Sequence, residues 1–196
     1  MNNLTYRHQN ERPKEMLNGV IYAMANPILN HVRVNRNITA IFNLYFKDKR
    51  CEVFGDSAKV FLTEKDKVVP DISVVCNKDI LKDKGIYGAP DLIVEILSPS
   101  TSKRDKGYKK DLYERCGVKE YWLADVDKLL IEVYRLVDEK YILHDIYTIL
   151  PEYETEDMTK EQLAEFPTKF KTSLFDDLII DLEEVFEDIM QQGDKL

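Results

Sequence analysis

No run of about 18 apolar residues occurs anywhere in the chain, so no segment is long enough to cross a bilayer as a helix. The first ten residues, Met1 to Asn10, are polar and lack the apolar stretch of a secretory leader; the expected setting is the cytoplasm. Cysteine is scarce: Cys51, Cys76 and Cys116 are an odd, widely spaced set. That spacing excludes a zinc-ligand pattern and a disulfide framework, and it predicts buried free thiols in a reducing compartment. There is no internal repeat and no low-complexity tract.

An excess of basic residues is also missing. The net charge is −8, which at first argues against a polyanionic partner. Its distribution changes that reading. Residues 151–196 hold 14 acidic and 4 basic residues, which leaves 22 acidic and 24 basic for residues 1–150. The acidity belongs to the C-terminal region, and the body is close to neutral, so nucleic acid stays open as a partner. A chain of 196 residues suffices for one core and is short for two. One domain over 1–196 is expected, with an acidic region from about 151.

Local patterns give the order of elements. Residues 15–25 read as a turn at Asn18-Gly19 followed by a strand. Residues 31–46 read as a helix with Val32, Ile38, Ile41, Phe42 and Tyr45 as its apolar stripe. Residues 51–62 are extended and broken at Gly55-Asp56, and Pro70 opens a short strand over 71–76. Residues 77–89 read as a polar connection, with Gly85-Ile86-Tyr87 as loop. Residues 91–97 (DLIVEIL) form a strand with Leu92, Val94 and Ile96 on one face and Ile93 and Leu97 on the other. Ser102 and Asp105 have capping-box spacing, and the helix they open ends at Gly117. Strands over 120–124, 129–136 and 141–149 form a meander, and 181–191 reads as a terminal helix after an irregular stretch with a short helix near Glu161. The fold class is α/β (α+β): a mixed sheet with helices on at least one face.

Glu95 does not fit its strand. An ionised carboxylate there needs a cationic partner, since burying it alone costs roughly several kcal/mol or more. A lysine or arginine, a helix N-terminus or a metal ion would each serve. Asp71 opens a strand about one hairpin earlier, directly after Pro70. Two carboxylates on neighbouring strands repel, and they are kept close when they share a divalent cation. Mg²⁺ (or Mn²⁺ in its place) takes one or two carboxylates plus water and phosphate, and it activates water against a phosphodiester.

Three blocks then occur in one order: Pro70-Asp71-Ile72-Ser73-Val74-Val75, Pro90-Asp91-Leu92-Ile93-Val94-Glu95-Ile96-Leu97-Ser98-Pro99-Ser100-Thr101, and Tyr113-Glu114-Arg115-Cys116-Gly117-Val118-Lys119-Glu120-Tyr121-Trp122-Leu123. Together they resemble the Uma family of proposed restriction endonucleases, within the PD-(D/E)XK superfamily. The resemblance runs over roughly residues 15–190 and includes Glu15-Met16-Leu17-Asn18-Gly19 and His31. It implies a restriction-endonuclease-like sheet flanked by helices, with Asp71 and Glu95 holding Mg²⁺. The superfamily lysine, two residues after the acid, is Leu97 here. The family resemblance puts that lysine on the following helix, where Lys109 matches, spaced i, i+4, i+7 with Tyr113 and Cys116. Lys103, Arg104, Lys106 and Lys110 beside it are candidate phosphate contacts, with a plain solvated face as their other reading. Glu15 is a candidate extra carboxylate or a turn residue, and His31 an accessory or helix-start residue. Asp91 is about 13 Å along the strand from Glu95, too far to share one ion, and is read as a strand-opening or outer group. His8 and His144 carry no motif.

Two functions follow. One is a Mg²⁺-dependent endonuclease acting on DNA, as a homodimer because two strands invite two chains. The other is a catalytically inactive module of the same fold that binds nucleic acid or a protein.

Overall fold

The computed structural model describes residues 13–189. The leader reading at Met1–Asn10, His8, and the end of the expected terminal helix lie outside those residues. In chain order the strands and helix of the first half are β1 (Lys14–Leu17), β2 (Val20–Ala23), α1 (Leu29–Phe46), β3 (Glu52–Phe54), β4 (Val60–Phe61), β5 (Lys67–Val68), β6 (Ile72–Val75), β7 (Leu81–Lys82), β8 (Gly85–Tyr87) and β9 (Leu92–Ile96). Then come α2 (Ser102–Arg104), a π-helical turn (Asp105–Lys109), α3 (Lys110–Cys116), β10 (Glu120–Asp125), β11 (Leu130–Val137) and β12 (Lys140–Thr148). The C-terminal region adds α4 (Glu152–Thr155), α5 (Lys160–Leu163), β13 (Lys169–Lys171), β14 (Ile179–Asp181) and α6 (Leu182–Val185).

The main sheet has the order β12-β11-β10-β9-β6-β3. Only β9 and β10 pair in parallel, joined across the 102–116 helix; the other pairs are antiparallel, so the sheet is mixed. Strand β9 is central and buried on both faces, as its continuous apolar run requires. Leu92, Val94 and Ile96 enter a core with α1 (Val34, Ile38, Phe42) and the C-terminal region (Phe170, Ile180, Val185). Ile93, with Leu97 packed against it, enters a second core with Leu112 and Tyr113 of α3. Every strand of the meander is present.

Several local expectations are corrected. The segment before Asn18-Gly19 is itself a strand, so that turn closes a hairpin, with both residues at positive φ as a two-residue hairpin turn demands. Val32 is solvent-exposed, because the buried stripe of α1 runs through Val34, Ile38, Phe42 and Phe46. Gly85-Ile86-Tyr87 is strand β8 rather than loop, in a second sheet of order β2-β1-β5-β4-β8-β7. A Cβ at Gly85 would lie 2.3 Å from the Lys59 carbonyl oxygen, so only glycine lets Ile86 N donate to that carbonyl at 2.8 Å. The terminal helix is the short α6, since Asn37 Nδ2 donates to the carbonyls of Val185 and Glu187 and takes up the acceptors that further helix would use. Cys51 and Cys76 form a disulfide rather than two free thiols, because β3 and β6 pair with Glu52 opposite Val75 and bring the flanking cysteines together. Cys116 is free.

Glu120, at the start of β10, is fully buried yet satisfied: it accepts from Trp122 Nε1 at 2.8 Å, from Ser173 N at 2.7 Å, and from the Ser173 hydroxyl. It ties the acidic C-terminal region to the main sheet. Among the described residues no helix is long and apolar enough to cross a membrane.

Candidate active site

Strands β6 and β9 run antiparallel with Ile72 opposite Val94 and Ser73 opposite Ile93. One step further in that register Asp71 stands opposite Glu95, so the two carboxylates meet at one end of the pair. Asp71 Oδ2 accepts from Ile96 N at 2.6 Å, and its Oδ1 lies 3.3 Å from His31 Nε2 in the first turn of α1. Asn35, one turn further along α1, donates to the Asp71 carbonyl at 2.8 Å and to Asp56 Oδ1 at 3.0 Å.

Glu95 is 3 % exposed. Its Oε1 accepts from Lys109 Nζ at 3.0 Å and from Tyr113 OH at 2.7 Å; among the described residues Oε2 accepts no hydrogen bond. Lys109 therefore reaches in from the helix after β9, while Leu97 packs beside the second core. The Lys109 ammonium also lies 2.9 Å from Glu15 Oε1 and 3.4 Å from Asp105 Oδ1. Glu15 is carried in by the β1–β2 hairpin and held by Val69 N at 2.9 Å. Tyr113→Phe removes a charged-acceptor hydrogen bond from the core and is expected to cost about 1.5–3 kcal/mol, read as a lower urea midpoint.

The other predicted residues lie apart. Asp91 sits at the opposite end of β9, accepting from Cys76 N at 2.7 Å and pairing with Lys119 at 2.6 Å, where it closes the sheet. Lys106 pairs with Glu132 at 2.6 Å, Lys110 lies over the Tyr134 ring, and Arg104 lies over the Tyr22 ring. Lys103 and His144 are exposed. Asp105 does not cap the helix. Thr101 precedes the first turn without a side-chain cap, and the buried ammonium of Lys109 draws the Asp105 carboxylate inward.

Charge is unbalanced here. Glu15, Glu95 and Asp105 surround a single buried ammonium, with Asp71 and Asp56 close by. Burial opposes the charge on Lys109, and the carboxylates of Glu95, Glu15 and Asp105 more than offset it; its affinity for the proton is raised. Burial, then the charges of Asp105, Asp71 and Glu15, push Glu95 well above the usual carboxylate range despite Lys109. Burial raises Asp105 and Asp56 as well. Burial works against a charged His31, but the hydrogen bond to Asp71 and the charges of Asp71, Asp56 and Asp105 outweigh it and raise its value.

These shifts share one sign. Each group binds protons more tightly folded than unfolded, so between its ordinary and its raised value stability falls as pH rises. Metal-free protein is expected to lose stability as pH rises from the ordinary carboxylate range through and beyond the ordinary imidazole value. Added Mg²⁺ is expected to raise the thermal midpoint more at the alkaline end than at the acid end. Scans in Mg²⁺ and in EDTA across that range check it, and an increment independent of pH would contradict it.

Among the described residues no three His, Cys, Asp or Glu side chains are disposed as a complete metal cage. The donor set at Asp71 and Glu95 is hard oxygen with negative charge in excess and one free carboxylate oxygen. That fits Mg²⁺, which uses one or two carboxylates and keeps several waters.

A mixed sheet flanked by helices, with Asp and Glu facing each other across β6 and β9, defines a restriction-endonuclease-like nuclease fold. Residues 3–166 match the model of the Uma2 family, described as "Putative restriction endonuclease", and the chain belongs to that family. Two proteins of Synechocystis sp. are similar to it. The uncharacterized protein slr1290 is 28 % identical over 138 residues, 69 % of this chain and 73 % of that one. The uncharacterized protein sll1609 is 26 % identical over 148 residues, 73 % of this chain and 84 % of that one. A crystal structure described as a putative nuclease belonging to DUF820, from Anabaena variabilis, shares the fold with a TM-score of 0.63 and 20 % identity over 90 % of each chain.

Proposed function

We propose that the protein is a Mg²⁺-dependent endonuclease that hydrolyses DNA phosphodiester bonds, with Mn²⁺ as a substitute ion. The observation that carries this reading is the meeting of Asp71, Glu95 and Lys109 at one end of β6 and β9. Asp71 and Glu95 would hold the ion. A bound Mg²⁺ supplies Lewis-acid polarisation of the phosphate and acidifies a water.

The chain's own groups do the rest. Ile96 N and His31 fix the Asp71 carboxylate, and Tyr113 and Lys109 fix Glu95 through Oε1, leaving Oε2 for the ion. Lys109, held charged by three carboxylates, cannot take the proton of the attacking water; it donates hydrogen bonds to that water and to the developing phosphorane charge. Glu15 holds Lys109, and Lys103, Arg104, Lys106 and Lys110 meet flanking phosphates. The reading takes residues 1–196 as one nuclease-like domain. The sharing of one core by Trp122, Phe170 and Ile180 supports that, since it joins the acidic region to the sheet. It also takes the chain to act in the cytoplasm and as a homodimer that presents one site to each strand.

Incubating purified protein with plasmid and with single-stranded DNA, in Mg²⁺, Mn²⁺ or EDTA, tests it. Metal-dependent nicking or linearisation is the expected result, and no cleavage in any metal would overturn it. The incomplete cage among the described residues favours the second reading, a catalytically inactive module binding nucleic acid or protein. Absence of Mn²⁺ binding at millimolar concentration would select that one.

A further inference from the structure

Asp105 is the carboxylate of the cluster whose sequence context points to another task, since its spacing from Ser102 is that of a capping pair. It is 1 % exposed, and its Oδ1 receives no hydrogen bond; the nearest cation is Lys109 Nζ at 3.4 Å. Its backbone is pinned from the sheet, where Tyr121 OH donates to the Asp105 carbonyl at 3.1 Å. Asp105 and Lys109 are the first and last residues of a single π-helical turn. Such turns are rare inside α-helices and occur frequently at functional sites.

A buried aspartate kept for stability would have its oxygens fully hydrogen-bonded. Asp105 does not. Thr101, one turn earlier, shares a side-chain hydrogen bond with it, and its cationic partner among the described residues is the ammonium that also serves Glu15 and Glu95. With Glu15 and Glu95 alone, the ammonium would be drawn onto those two carboxylates. The third carboxylate pulls it back towards its own helix, and the three together fix Nζ beside Glu95 Oε1. We infer that Asp105 is the positioning residue for Lys109: it sets from the helix the lysine position that a strand lysine at 97 would otherwise supply. The inference rests on the nuclease reading for its catalytic consequence but not for its structural one.

The test uses the full chain with Asp105→Asn and Asp105→Glu. Amine acetylation followed by mass spectrometry reads the accessibility of Lys109, with Lys106 and Lys110 as internal references. Lys109 is expected to be protected in the parent and to react faster in Asp105→Asn, with the reference lysines unchanged and the thermal midpoint not lowered. Cleavage is expected to fall about 10- to 100-fold in Asp105→Asn, the usual effect of losing a group that orients a catalytic one. Asp105→Glu, which keeps the charge, is expected to recover part of it. Asp105→Asn with Lys109 still protected would overturn the inference. So would faster labelling with unchanged cleavage, or a lowered midpoint with the reference lysines labelled faster as well. A parent protein that cuts no DNA overturns the nuclease reading instead, and the labelling result then still decides whether Asp105 places Lys109.

Discussion

Asp71→Ala and Glu95→Ala are each expected to lower Mg²⁺-dependent cleavage by about 100-fold or more, the scale of losing one preorganised group that stabilises transition-state charge. Both should also weaken Mg²⁺ binding, measured by calorimetry on purified protein. The two losses should not multiply. Asp71 and Glu95 face each other across one strand pair and would hold one ion, so the double variant should be about as inactive as either single one. Stability separates this from misfolding. Either substitution relieves like-charge repulsion in a cluster that has more carboxylates than cations, so the fold should survive. Full cleavage in both variants would exclude the assignment, and equal Mg²⁺ affinity in both would exclude the metal role.

Lys109→Met is expected to have the second large effect, on stability as well as activity. Methionine keeps much of the side-chain volume but removes the ammonium, leaving Glu15, Glu95 and Asp105 facing one another in the interior. Breaking a buried ion pair from one side typically costs about 3–5 kcal/mol. Thermal or urea denaturation at neutral pH would show it. The deficit should shrink as pH falls, because Glu95 and Asp105 then take up protons that the folded state holds more tightly than the unfolded one. Adding Glu95→Gln to Lys109→Met should restore part of the stability and none of the cleavage. A Lys109→Met variant as stable as the parent would mean that the carboxylate cage does not need its cation.

Much of this was legible in the chain before folding. Strand β9 was visible because Val, Ile and Leu alternate without a polar face, and Glu95 stood out for the same reason: a charge in an apolar run needs a partner. Helix α1 and the meander followed from periodicity and turn residues. The cage around Lys109 was only half legible. Lys109 could be placed on the sheet side of its helix by its spacing from Tyr113, but Asp105 looked like a cap, because Ser-x-x-Asp reads the same whether the carboxylate turns to the backbone or to a buried ammonium.

Of the second sheet, local pattern showed the strand after Asn18-Gly19 and the extended stretch that holds β4, but not the other strands or their pairing. Its strands are two to four residues long, shorter than any period can mark. The cysteines were misread for a related reason, since their pairing depends on β3 lying beside β6, and nothing in a spacing of 25 residues announces that.

The sequence by itself determined the family and the Asp71–Glu95 pair, because burial of an ionisable group in an apolar strand is a local conflict that any reading must resolve. The tertiary structure alone decided what resolves it. Glu95 meets an ammonium from the next helix, a tyrosine hydroxyl and an aspartate across the sheet, and Glu15 arrives from a hairpin 80 residues earlier. Coulomb forces act over a few ångströms in space whatever the separation along the chain, so the groups that balance a buried charge are known only once the fold has brought them together.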